Sequence, residues 1–170
     1  MTSLTVSMPA FNEEPNIGPM VDMVISKVAP LVDELEIIIV DDGSKDGTAA
    51  AVEAIAAKDD RVRLIRHSVN MGYGAAVKDS IWAASKELIL TTDSDLQFDL
   101  AEVARFLPRL LNADMVAGYR RSRSDPWYRR LFGNGWSWLV NLIFGYTARD
   151  VDCAFKLFKR RIIDTIKVES

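Results

Sequence analysis

Glu36-Ile37-Ile38-Ile39-Val40-Asp41-Asp42-Gly43-Ser44 is the stretch that decides the fold. From Ile37 to Val40 the run is β-branched without polar alternation, the pattern of a strand buried on both faces. Such strands sit in parallel sheets covered by helices on two sides, so helices are expected on either side of it in the chain. Upstream, Ile17, Met20, Val21, Val24 and Ile25 recur at helical spacing over 14–28, after a strand at 4–8 and a turn at 9–12. Downstream, 41–48 reads as a turn, 48–58 as an alanine-rich helix and 62–66 as a strand. A helix at 74–84, a strand at 88–92, a helix at 100–111 and a strand at 115–118 follow. This alternation predicts βαβ units in one α/β domain over residues 1–170: an open, twisted, mostly parallel sheet flanked by helices.

Composition narrows the function. A 49% hydrophobic and 26% charged chain is that of a folded globular domain, and a net charge of −3 gives no field that would recruit nucleic acid. The single cysteine, Cys153, excludes an internal disulfide and a cysteine-based zinc site, and fits a reducing compartment. No basic segment followed by an apolar core opens the chain, so the protein is expected to be cytoplasmic and not secreted. No run of ~20 apolar residues is present, so no bilayer-spanning helix is expected. The arginines and lysines instead gather in the last third, from Arg120 to Arg161.

Right-handed crossovers put the C-terminal ends of parallel strands on one edge, where open α/β sheets bind ligands. A polar motif follows each of the first four strands. Pro9-Ala10-Phe11-Asn12-Glu13-Glu14 supplies a helix cap in Asn12 and an acid for the helix dipole, with an aromatic and a second acid left to grip a nucleobase. Asp41, at the end of the second strand, is placed to bond a base or ribose hydroxyl, and the turn residues Gly43, Ser44, Gly47 and Thr48 shape its loop. Asn70-Met71-Gly72-Tyr73-Gly74 enters a helix with backbone amides free to approach phosphate. It lacks the last glycine of a dinucleotide fingerprint and follows the third strand, which argues against a nicotinamide-binding domain. Asp93-Ser94-Asp95-Leu96-Gln97 ends the strand Leu88-Ile89-Leu90; its clustered oxygen donors suit a hard divalent cation that also bridges phosphates, and equally an exposed acidic turn capping the next helix. The lone His67 forms no triad with serine or cysteine and has no assigned role.

These motifs, in this order, resemble family 2 glycosyltransferases of the GT-A type, a Rossmann-like fold. Pro9 to Glu14 is similar to the family's opening P-x-[YF]-N-E, Val40 to Thr48 to its second motif, and Asn70-x-Gly72-x-Gly74 to its third. Asp93-Ser94-Asp95-Leu96-Gln97 resembles the form found in polyprenyl-phosphate sugar synthases such as the dolichyl-phosphate mannosyltransferases. Gly118-Tyr119-Arg120 and Asp150 to Phe158 resemble later segments of that subgroup. The resemblance implies a nucleotide-sugar donor held by Pro9, Phe11, Glu13, Asp41, Asp42, Gly72, Asp93, Ser94 and Asp95. It implies Mg²⁺ or Mn²⁺ on Asp93, Asp95 and Gln97. A lipid-phosphate acceptor would meet Arg120, Arg129, Arg130 and Lys156, with Asp150, Asp152 and Arg120 as catalytic residues. The implied reaction is inverting transfer of a sugar, of the GDP-mannose or UDP-glucose type, to a polyprenyl or dolichyl phosphate.

The segment 131–147, rich in aromatics and flanked by arginines, has the composition of a helix lying at a membrane interface, or of one covering the sheet or a partner subunit. Peripheral attachment to the cytoplasmic membrane face, and a second copy or a membrane anchor as partner, are the matching expectations. Relatives in this family continue past the equivalent of Ser170, so the domain is expected to be truncated at its C-terminus. Two other functions share parts of this pattern. One is a nucleotide-binding, membrane-associated module without turnover. The other is a haloacid-dehalogenase-type phosphotransferase, which carries its D-x-D on the first strand with Thr or Val where Gln97 stands.

Overall fold

The computed structural model describes residues 1–119, 135, 138, 140–143, 145 and 150–165. Strands β1 (Ser3–Ala10), β2 (Glu34–Asp41), β3 (Val62–Arg66), β4 (Leu88–Thr91), β5 (Met115–Ala117) and β6 (Lys156–Lys159) form one sheet in the order β3-β2-β1-β4-β6-β5. The first four run parallel, and β6 is antiparallel to both of its neighbours. Helices α1 (Glu14–Lys27), α2 (Thr48–Ala56), α3 (Tyr73–Ala83), α4 (Val103–Phe106) and α5 (Arg161–Thr165) connect or follow them.

β2 is covered on both faces, as its sequence requires. Ile37 and Ile39 enter the larger core with Ile17, Met20, Val21 and Val24 of α1, Val52 of α2 and Val103 and Phe106 of α4. Ile38 and Val40 point the other way, into a smaller cluster with Ala76 and Ala84 around α3, and with Ile162 and Ile163 of α5. All four β2 side chains are fully buried, which contributes on the order of 2 kcal/mol each from apolar area removed from water.

Besides shifts of one or two residues at element ends, three features depart from the sequence expectations. β1 continues through Pro9 to Ala10, where a turn was expected. The last β1–β4 register pair is Ser7 with Thr91, so Pro9 lies beyond it and its missing N–H removes no bond to β4. The helix expected at 100–111 is a 3-10 turn (Leu100–Glu102), the single turn α4 and a second 3-10 turn (Leu107–Leu111). Pro108, which has no N–H to give, stands at the start of that second turn. β6 was not expected at all, because Lys156-Leu157-Phe158-Lys159 is too short to show a period.

At the opposite edge from the strand C-termini, buried Glu36 ties three strands to the end of α3. Its carboxylate accepts from Thr5 Oγ1 at 2.6 Å, Arg63 Nη1 at 2.7 Å and Ser85 N at 2.9 Å. Burial pushes this carboxyl up, but the bonds from Thr5, Ser85 and Arg63 together hold it below the ordinary glutamate value. Its stabilisation is therefore present above that ordinary value and lost as pH falls through the lowered one. Glu36→Ala should cost about 2–3 kcal/mol, because the Thr5 hydroxyl and Ser85 N–H lose their acceptor. Thermal melts near neutral pH should fall by about 5–10 °C. The difference from wild type should shrink in acid, where both proteins lack the charged carboxylate.

Candidate functional site

Parallel register aligns Ala10, Asp41 and Arg66 across β1, β2 and β3, and Thr91 ends β4 on the same edge. The loops that leave this edge brace one another through side chains. Asn12 N donates to Ser44 Oγ at 2.9 Å, Lys45 N to Asn12 Oδ1 at 2.9 Å and Glu13 N to Thr48 Oγ1 at 2.8 Å. Gly47 N donates to Glu14 Oε2 at 2.8 Å, and Asn16 Nδ2 to Glu13 Oε2 at 2.6 Å. Asn12 does not cap α1 as expected: at φ 57° its side chain serves the neighbouring loop, and Glu13 occupies the cap position. Pro9 is buried in β1, while Phe11 projects from the brace, 42% exposed.

Asp41 is fully buried, and the site's electrostatics centre on it. Its Oδ1 accepts from Ser44 N at 3.0 Å. Its Oδ2 has no hydrogen-bond partner, with Arg66 Nε 3.7 Å away. A buried acceptor without a donor costs free energy until a ligand supplies one. Beside it a cleft of about 370 Å³ is lined by Gly43, Ser44, Arg66, His67 and Ser68.

Asp42 turns to the third loop. Its Oδ1 accepts from Met71 N at 2.8 Å and contacts His67 Nδ1 at 2.7 Å; its Oδ2 accepts from Gly72 N at 2.8 Å. Burial raises this carboxyl, but the bonds from His67, Met71 and Gly72 leave it below the ordinary aspartate value. His67, unassigned in the sequence, is thus buried between Asp42 and Asp79, whose Oδ2 lies 2.9 Å from Nε2. The Asp42 contact, opposed by burial and aided by Asp79, raises the imidazole above its ordinary value. The one available signal was the position of the histidine beside a strand end; no periodicity reveals that Asp79 of α3 faces it.

Gly72, at φ 94°, precedes α3, so Tyr73 opens the helix and its hydroxyl donates to Asp93 Oδ1 at 2.9 Å. Asp95 Oδ1 accepts from Gln97 N at 3.1 Å, and Leu96 between them is held at φ 63°. A leucine in that conformation is strained, and such strain collects at ligand sites. Ser94 is buried and donates to the Pro9 carbonyl at 3.0 Å, which locks the acidic turn onto β1. Gln97 is exposed. Among the described residues no three His, Cys, Asp or Glu side chains cluster as a complete metal cage. A pair of carboxylates suits Mg²⁺ or Mn²⁺ nonetheless, since such ions complete their shells with water and substrate phosphate.

Across the sheet, Asp150 is buried and Asp152 exposed. Lys156 Nζ donates to the carbonyls of Cys153 at 2.6 Å and Val151 at 3.2 Å, so its ammonium is engaged with the turn that carries both acids. Arg120, Arg129 and Arg130 lie outside the described residues, as does most of 131–147. Within that stretch Trp138, Leu142 and Ile143 are helical and each more than 60% exposed. Among the described residues, no helix is long and apolar enough to cross a membrane.

Known proteins match this architecture. The family model described as glycosyl transferase family 2 matches residues 5–167. A dodecaprenyl-phosphate galacturonate synthase from Rhizobium johnstonii is 30% identical, aligned over 97% of this chain and 50% of its own length. A dolichyl-phosphate beta-glucosyltransferase from Trichomonas vaginalis is 31% identical over 92% of this chain and 51% of its own. The chain therefore spans about half the length of these relatives. Among solved structures, a mannosyltransferase from Pyrobaculum calidifontis in complex with GDP-Man and Mn²⁺ superposes with a TM-score of 0.68. It is 22% identical, over 95% of this chain and 46% of that one. The Mycobacterium tuberculosis glucosyl-3-phosphoglycerate synthase with Mn²⁺ and UDP-glucose gives 0.68 at 24% identity, over 97% and 58%. These neighbours have the expected GT-A fold.

Gly43 carries the sharpest constraint on the cleft. It sits at φ 71°, and a Cβ there would stand 2.5 Å from the Val69 carbonyl carbon and 2.6 Å from Asn70 N. Both obstacles are backbone, so neither can rotate away. Gly43→Ala should cost about 2 kcal/mol or more in strain and clash. Gly72→Ala, at φ 94° with nothing within 4 Å of its Cβ, should cost about half as much. Chemical denaturation of the two variants side by side checks the ordering.

Proposed function

Since the chain belongs to glycosyl transferase family 2, we propose that it binds a nucleoside-diphosphate sugar at the shared sheet edge and transfers the sugar to a polyprenyl phosphate. The observation that carries this reading is the buried Asp41 oxygen without a donor, on the same edge as the acidic turn of Asp93 and Asp95. Asp41 takes an N–H of the base, with Phe11 against its face and Pro9 and Glu13 beside it. Asp42 acts indirectly, by holding the Met71 and Gly72 amides. Asp93, Asp95 and Gln97 hold Mg²⁺ or Mn²⁺, while Ser94 fixes their turn to Pro9. When bound, the cation offsets the charge of the diphosphate and makes the nucleoside diphosphate a better leaving group.

The acceptor needs little activation. A lipid phosphate is already an anion at neutral pH, so its oxygen bonds the anomeric carbon as the bond to the diphosphate breaks. One in-line displacement of this kind inverts the anomeric centre, and no strong base is required. Buried Asp150 orients the acceptor or sugar; exposed Asp152 plays the lesser part. Arg120, Arg129 and Arg130 supply guanidinium groups whose geometry matches phosphate oxygens, and Lys156 keeps the Asp150 turn in place. The relatives named for dodecaprenyl and dolichyl phosphate support a lipid acceptor. The exposed Trp138, Leu142 and Ile143 support a membrane surface beside it. Action at the cytoplasmic face, alone or with a second copy or an anchoring partner, completes the proposal.

Labelled UDP-glucose and GDP-mannose, each with Mn²⁺ and with or without polyprenyl phosphate, test it directly. Transfer should require both metal and lipid phosphate and stop with EDTA. Asp95→Ala should lower it about a hundredfold or more, at least the loss expected for a residue that merely supports a metal ligand. Metal-dependent nucleotide binding without transfer would favour the module without turnover, and transfer indifferent to Asp95→Ala would sink the metal assignment.

A further inference from the structure

We propose that His67 is a positioning residue: held as a doubly protonated imidazolium between Asp42 and Asp79, it fixes the 71–73 turn and so places the Tyr73 hydroxyl against Asp93. Carboxylate oxygens only accept, and both ring nitrogens lie within hydrogen-bond reach of one, at 2.7 and 2.9 Å. A neutral imidazole has a single N–H, so one of the two contacts would then set a lone pair against a carboxylate. Asp42 cannot relieve this by taking the proton, because the Met71 and Gly72 amides already point at its oxygens. The charged groups facing the ring are Asp42 from the end of β2 and Asp79 from α3. Arg66, its chain neighbour, shares the cleft and lies toward Asp41.

The arrangement has mechanical consequences. His67 N donates to the Asp41 carbonyl at 2.9 Å, so the ring's backbone is fixed to β2 and its proton decides what the ring can hold. One carboxylate grips the amides just before α3; the other belongs to α3 itself. Tyr73, the first residue of that helix, reaches Asp93 at 2.9 Å. The ion cluster thus ties the start of α3 to the strand edge and to the acidic turn. Its stabilisation is complete below the ordinary histidine value and fades as pH rises through the raised one. Only the effect on nucleotide affinity rests on the proposed function.

His67 is the sole histidine of the chain, so its imidazole signals are identified in NMR spectra without assignment. Both ring nitrogens should be protonated below the midpoint, and the midpoint should lie above about 6.5. The Met71 and Gly72 amide resonances should move with the same midpoint. Asp79→Asn, at a helix side chain 42% exposed, should keep the fold and lower the midpoint by about one unit or more. UDP and GDP, each with Mn²⁺, should bind about tenfold more weakly above the midpoint, roughly the loss of one charge-assisted hydrogen bond. In Asp79→Asn that weakening should shift with the imidazole.

A ring nitrogen unprotonated at every pH overturns the proposal, as does a midpoint at or below the ordinary value. So do amides that ignore the titration, or nucleotide affinity that stays flat through it. Should neither nucleotide bind at any pH while the imidazole and amides behave as expected, the positioning role stands and the proposed function falls.

Discussion

Burial of β2 on both faces is the constraint from which the remainder of the architecture follows. Ile37 and Ile39 cannot leave water without α1 and α2, nor Ile38 and Val40 without α3. A strand that needs helices on both sides cannot pair through tight hairpins, since each return to the sheet must pass over a face. The parallel order of β1 to β4 follows, and so does the gathering of four polar loops on one edge. The location of the site is therefore a by-product of apolar packing. Its chemistry is not: Asp41, Asp42, Asp93 and Asp95 contribute little to the core and much to the edge.

That edge is organised by bonds between its own loops. The first two loops hold each other through Asn12, Ser44, Glu14 and Thr48, the third is held by Asp42, and the fourth by Ser94 on Pro9. Nearly every bond is between a backbone amide or carbonyl and a side chain of another loop, so each loop's shape depends on its neighbour's sequence. Preorganisation of this kind reduces the ordering cost of binding. Among the described residues, Asp41 Oδ2 is the buried side-chain oxygen without a donor.

Much of this was legible in the chain. Uniform burial of Ile37–Val40 and the helical spacing of Ile17, Met20, Val21 and Val24 carried the sheet and its first helix to within a few residues. Pro9 and Pro108 misled in opposite directions: the first sits harmlessly in a strand because β4 has ended, and the second splits an expected helix. β6 escaped because four residues hold no period and because its place between β4 and β5 is a tertiary fact. The motifs put Asp41 and Asp93 at the ends of two strands, where the structure has them; Asn12, expected to cap α1, instead bonds a loop distant in sequence, and Ser94 bonds Pro9. His67 was invisible because Asp79 lies twelve residues away and meets it only when α3 packs on β1 and β2.

The position of β6 has a further meaning. Gly118 N donates to Phe155 O at 2.8 Å, so the chain leaves the sheet after β5 and re-enters it at the same point. The segment between those residues therefore has its two ends held together. Lengthening an excursion whose ends are already clamped costs little closure entropy, growing only with the logarithm of its length. The loops after β1 to β4 constrain one another's sequence, whereas the sheet sets no length for this segment. Insertion or exchange there need not disturb a strand of the sheet.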